Sequence, residues 1–156
     1  MSSNIRKFYG QLNNILSVLG KYSHELATLH LVKSYCLTTL LYGCETLSFT
    51  EKELHKASVA WNNSFRRMFS CCWRESVKPL QYYCQSLPLS YIVSERRLLF
   101  RRQMLISDNI VLAVLSRGIV SKFVAVGSLY GISTWTLSVA KIKLLIWTTF
   151  VNSLAL

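Results

Sequence analysis

Apolar residues in this chain recur mostly every three to four positions, the spacing that places them on one face of an α-helix. Ile5, Phe8, Leu12, Ile15 and Leu19 make the first stripe, and Gly20 is a natural stop. Leu26, Leu29, Val32, Cys36 and Leu40 make the second, with Ser23 as its expected N-cap and Gly43 at its end. The third start is the most explicit. Thr50-Glu51-Lys52-Glu53 has the form of a capping box: the Thr50 hydroxyl accepts from the Glu53 amide, and the Glu53 side chain reaches back to the Thr50 amide. Leu54, Trp61, Phe65, Met68, Phe69 and Cys72 then line one arc, which predicts a helix to about residue 73.

Pro79 and Pro88 fall in an expected loop over about 74–89, where neither interrupts a helix. Ser90 is the expected cap of a fourth helix running to about Ser107. Residues 109–126 read as a further helix, weakened at Gly118. Gly127 and Gly131 bracket a turn, and Thr134 is expected to cap a last helix through Val139, Ile142, Ile146 and Phe150. No segment sustains the period-2 alternation of a strand, so the predicted fold class is all-α, an irregular helical bundle of about five to six helices. The expected organisation is a helical domain over 1–108, its basic part at 61–108, followed by apolar C-terminal helices or a tail over 109–156.

Charge adds direction to this outline. The 156 residues carry 18 Lys and Arg against 7 Asp and Glu, a formal net charge of +11. Residues 1–60 contribute +2, 61–108 contribute +5, and 109–156 contribute +4 without a single acid. With 51% apolar residues and a mean hydropathy of +0.30, the chain is too apolar for a long disordered protein. The N-terminus has no apolar core of a secretory signal, and the five cysteines are an odd number. Reduced thiols and an intracellular location, nucleus or cytoplasm, are therefore expected. A membrane span is not expected: the longest uncharged run, Phe123–Ala140, is diluted by two glycines and five Ser/Thr hydroxyls.

Chemistry based on two metal ions needs clustered carboxylates. Asp108 is the only aspartate, and Glu51 and Glu53 belong to the start of a helix, where their charge suits the positive dipole end. The cysteines lack a Cys-x-x-Cys pair: Cys71 and Cys72 are adjacent, and Cys84 follows eleven intervening residues later. Neither a glycine-rich phosphate loop nor a recognisable histidine motif is present. No catalytic residue, cofactor or metal ligand is assigned to this chain.

The basic middle offers binding instead. Trp61, Phe65, Phe69 and Trp73 are four apart and turn by only about 40° per step, one aromatic ridge on a helix. Arg67 and Arg74 fall on the opposite side, with Arg66 near the edge. In the fourth helix, Tyr91, Ile92, Leu98, Leu99, Leu105 and Ile106 form an apolar arc, with Arg96, Arg97 and Arg101 off it. Arg102 projects into the arc, where a buried guanidinium must snorkel, find a carboxylate or face a charged ligand. The candidate nucleic-acid-binding residues are Arg66, Arg67, Arg74, Lys78, Arg96, Arg97 and Arg101, contacting phosphates without reading sequence. Tyr82, Tyr83 and Phe100 are candidates for stacking on bases.

Five strings point further: Arg6-Lys7-Phe8-Tyr9; Ser34-Tyr35-Cys36-Leu37 with Leu41-Tyr42-Gly43-Cys44-Glu45; Leu87-Pro88-Leu89-Ser90-Tyr91-Ile92 with Arg96-Arg97-Leu98; Asn109-Ile110-Val111-Leu112; and Lys141-Ile142-Lys143 with Trp147. Together they resemble the region after the polymerase palm in non-LTR, LINE-type retrotransposon reverse transcriptases, with the jockey and chicken-repeat-like branches as the nearest match. The resemblance covers most of the chain as a pattern of positions without a catalytic motif. It implies a thumb and the start of a C-terminal region. The Mg²⁺-binding aspartates of such a polymerase, and its endonuclease, would lie upstream of Met1. Its implied partners are that palm domain and RNA or an RNA–DNA template–primer held by its backbone. Alternatives are a helical protein-interaction module, a membrane-associated module, or a transposon relic without function.

Overall fold

A computed structural model of the chain describes residues 2–20, 24–111, 127–130 and 137–154. Among them every regular element is helical and no strand occurs. The order is α1 (Ser2–Leu19), α2 (Glu25–Leu31), a π-helical turn (Val32–Cys36), α3 (Leu37–Leu40), α4 (Glu51–Met68), α5 (Lys78–Tyr83), α6 (Leu89–Ile106) and α7 (Val139–Asn152). The all-α irregular bundle is thus observed, and of these seven α-helices among the described residues α3 and α5 are under seven residues long. The residues group into two compact units, Met1–Ser90 and Tyr91–Leu156, so the division falls in the first turn of α6. The expected caps Ser23 and Thr134, and the expected helix over 109–126 apart from its first three residues, lie outside the described residues.

In the first unit α1 runs as its stripe predicts, with Phe8 and Leu12 fully buried, and ends at Gly20 in the left-handed region, φ +66°. The second stripe is buried at Leu29, Val32, Cys36 and Leu40, but Leu26 is exposed. Positions four apart drift about 40° per step on an α-helix. The wider π turn at Val32–Cys36 takes back part of that drift and keeps Val32, Cys36 and Leu40 pointing inward. Hydroxyls of Ser34 and Thr39 each donate to the carbonyl four residues back, contacts that loosen an α-helical ladder around this turn. Gly43, φ +77°, turns the chain out of the segment, and Leu41 and Cys44 are buried on either side of it. Burial pushes the Cys36 thiol up to about 11, so it stays protonated at neutral pH.

The capping box is present as expected. The Thr50 hydroxyl accepts from the Glu53 amide at 3.3 Å, and the Thr50 amide donates to Glu53 Oε2 at 3.0 Å. These bonds hold the Glu53 carboxyl below its ordinary pKa. Trp61 and Phe65 are fully buried at 5.1 Å between ring centroids, edge to face, and Phe8 meets Trp61 at 6.5 Å. The Trp61 indole N–H donates to the Leu87 carbonyl at 3.2 Å, tying α4 to the segment before α6.

Two helix ends differ from expectation for one reason. The third helix stops at Met68 instead of about residue 73. Ser70 takes the left-handed conformation, φ +51°, and the Cys71 amide donates to the Arg66 carbonyl, the 6→1 bond of a Schellman end. The expected 74–89 loop in turn contains α5, with Pro79 in its first turn, where a missing N–H costs no helical bond. That helix ends the same way, with Gln85 at φ +46° and the Ser86 amide bonded to the Gln81 carbonyl. Glycine usually marks such ends; here serine and glutamine occupy the position and hide the stop. Ser70→Gly and Gln85→Gly are expected to raise stability by about 0.5–1 kcal/mol each, seen as higher urea midpoints. Lower midpoints would mean the left-handed turns are not strained.

Helix α6 begins at Leu89, so Ser90 lies inside the helix instead of capping it, and from Tyr91 onward the helix belongs to the second unit. Tyr91, Glu95 and Arg102 share one face, being four and seven apart. Tyr91 packs on Phe150 at 5.7 Å and on Tyr130 at 6.2 Å. Glu95 pairs with Lys143 at 3.7 Å. Burial pushes the Tyr130 phenol up, partly offset by its bond to Ser94. The Arg102 Nε donates to the Leu137 carbonyl at 2.8 Å, so a backbone carbonyl rather than a carboxylate receives the guanidinium that projects into the apolar arc. Ser138 caps α7, its hydroxyl accepting from the Lys141 amide at 3.3 Å. Ile142, Ile146 and Phe150 form the buried stripe of α7 as predicted, whereas Val139 is exposed. No helix among the described residues is long and apolar enough to cross a membrane.

Candidate nucleic-acid interface

The predicted cations divide by what their side chains do. In the first unit, Arg66 is committed to the fold. Its Nη1 donates to Asn63 Oδ1 at 3.1 Å and its Nη2 to the Glu75 carbonyl at 3.1 Å, while its Nε is buried without a hydrogen-bond partner. It clamps the chain leaving α4 back onto that helix. Arg67, one residue on, is exposed and donates to Asn13 Oδ1 at 2.7 Å, which links α4 to α1. Arg67 also lines a cleft of about 430 Å³ together with Leu16, Glu25, Thr28 and Met68.

Arg74 is exposed on the segment that joins α4 to α5, and Lys78 is exposed at the first position of α5. The Arg74 guanidinium lies 4.8 Å from the centroid of the Trp73 ring, within cation–π range. Trp73 is itself 73% exposed. The predicted ridge therefore ends early: Trp61 and Phe65 are core, Phe69 is half-buried and stacked on Phe65, and Trp73 is outside because the helix has already stopped. On α5, Lys78 and Tyr82 are four apart and share a face, and Tyr83 is 81% exposed. The loop also carries one acid, the exposed Glu75.

In the second unit, Arg96 and Arg97 are half-buried on α6 and Phe100 is likewise half-buried. Arg101 is only 6% exposed, and burial lowers its pKa. It therefore does not offer a surface guanidinium to phosphate, which corrects its place among the candidates. The cause is the shape of α6. Leu89, Val93, Leu98, Arg101 and Met104 are its buried positions, while Leu105 and Ile106 of the expected arc are exposed. Apolar residues lie nearly all round this helix, so periodicity alone does not choose the inward side.

Lys33 escaped the sequence reading. It sits in the π turn, half-buried, and donates to the carbonyls of Cys84 at 3.2 Å and Gln85 at 3.3 Å. Burial lowers its pKa. Its role is to hold the end of α5, and Gln81 assists from the other side by donating to Asn62 Oδ1 at 3.1 Å. Both residues thus fix the backbone beneath the exposed Lys78, Tyr82 and Tyr83.

Among the described residues no three His, Cys, Asp or Glu side chains converge as metal ligands, and Asp108 is exposed. The donor set does not fit the Mg²⁺ of a polymerase, and no step through that ion is derived for this chain. What the arrangement can do is present exposed cations and flat rings on a pinned segment. Compared with protein-family models, curated proteins and solved structures, the chain finds no match.

Proposed function

We propose that this chain is a basic helical module of the thumb type, resembling the post-palm region of a LINE-type reverse transcriptase, that contacts RNA or an RNA–DNA hybrid through the phosphate backbone. The observation that carries the reading is the exposure of Arg67, Arg74 and Lys78 at the end of α4 and the start of α5. Arg96 and Arg97 of α6 add charge in the second unit. Arg66 is committed to the fold, and Arg101 is buried. Binding is charge neutralisation, without base readout. Several strings of the resemblance fall on structural joints, such as Gly43 in its left-handed turn and the buried Leu89, so they support the fold of the module more than its chemistry. The same reading places the protein in the nucleus or cytoplasm, working with a palm domain that holds the Mg²⁺ chemistry. A helical protein-interaction role is the second reading, favoured by the exposed Ile110, Val111, Leu129 and Leu144.

Three phosphate contacts predict a log–log salt slope of about −2.7 on duplex, so affinity for an RNA–DNA hybrid is expected to fall about 40-fold between about 50 and 200 mM salt. The variant carrying Arg67→Ala, Arg74→Ala and Lys78→Ala is expected to flatten that slope. Fluorescence anisotropy with a labelled hybrid reads both. No binding at low salt, or a slope unchanged in the variant, rejects the assignment.

A further inference from the structure

Resting on that reading and deepening it, we infer that the segment from Trp73 to Tyr83 is a stacking platform, and that its ligand is single-stranded nucleic acid with unpaired bases. Three aromatic side chains in eleven residues are exposed, Trp73 at 73%, Tyr83 at 81% and Tyr82 in part at 39%, with Tyr82 and Tyr83 edge to face at 5.6 Å. Rings of this size normally cover core or interface, so three left outside on one short segment call for an occupant.

The backbone that carries them is tied down. The Glu75 carbonyl accepts from Arg66, and the Glu75 amide donates to the Cys72 carbonyl at 3.2 Å. Gln81 is buried and bonded to Asn62, and Lys33 holds the carbonyls of Cys84 and Gln85. The rings are therefore exposed on a fixed base, which spares the ordering cost a loose loop meets on binding.

Charge selects the occupant. The Arg74 guanidinium against the Trp73 ring and Lys78 one helical turn before Tyr82 put cations beside the rings. Two cations, Arg74 and Lys78, outnumber the single acid Glu75 on the segment and stand between its rings, which suits a strand that offers phosphates beside bases. A protein partner would need both acidic groups for the cations and apolar groups for the rings. In a duplex the base faces are already stacked on one another, so it can use the cations but not the rings. Single strands offer both.

The test uses the full chain, a short single-stranded oligouridylate and an RNA–DNA hybrid of equal length. Trp73→Ala removes an exposed ring, and an unchanged melting temperature checks that the fold is kept. It is expected to weaken oligouridylate binding about 5- to 100-fold, and hybrid binding less than about twofold. Tyr83→Ala is expected to act in the same direction. If Trp73→Ala leaves oligouridylate affinity unchanged while both ligands bind the parent chain, the platform is overturned and the backbone contact stands. If neither ligand binds the parent chain at low salt, the platform and the backbone contact fall together.

Discussion

Trp61→Ala is expected to destabilise the protein by about 3–5 kcal/mol, a large part of the ~5–15 kcal/mol that holds a domain folded. The indole is fully buried between Phe8 and Phe65 and is the largest side chain of the core. Its removal leaves a cavity that helices on several sides cannot collapse to fill. It also leaves the Leu87 carbonyl without the indole donor, 3.2 Å away. Trp61→Phe separates the two effects: it keeps most of the ring and loses the hydrogen bond, an expected cost of about 1–3 kcal/mol. Val59→Ala, at an exposed position of the same helix, is the control and should stay within about 0.5 kcal/mol. Urea unfolding followed by circular dichroism reads all three. Similar midpoints for Trp61→Ala and Val59→Ala would contradict the packing of α4.

Phe150→Ala is expected to cost about 3–5 kcal/mol in the second unit. Phe150 is fully buried on α7, with Tyr91 of α6 at 5.7 Å and Trp147 at 5.6 Å. These rings meet at 58° and 67°, tilted and edge-on contacts that add to the area they bury. Phe150→Leu retains apolar volume and should cost under about 1.5 kcal/mol. Leu144→Ala changes the solvent side of the same helix and should be near neutral. Thermal unfolding of the three variants orders them. If Leu144→Ala proves as harmful as Phe150→Ala, the face assigned to α7 is wrong.

Both variants probe helices whose inward faces were legible in sequence. The stripes of α1 and α7, the Thr50 capping box and the stop at Gly20 are local features, settled by neighbours three or four residues away. Binding residues were less legible. Arg67, Arg74 and Lys78 are exposed, as a phosphate contact requires. Arg66 and Arg101 carry the same charge in similar sequence surroundings, yet one clamps the Glu75 carbonyl and the other is buried. Trp73 reads as the fourth member of a core ridge, yet it stands in water because α4 ends five residues earlier.

By itself the sequence determined the all-α class, the positions of the strongest helices and the concentration of positive charge after residue 60. Each follows from composition or from hydrogen bonds and contacts within a turn or two of the helix. Tertiary structure alone decided the rest: where α4 and α5 stop, which way α6 faces, and which arginines are spent on carbonyls. Ser70 and Gln85 are held in left-handed turns that neither residue type favours alone, and α6 is apolar on too many sides to orient itself. Such choices are made by packing between segments distant in the chain, whose energy no local pattern records.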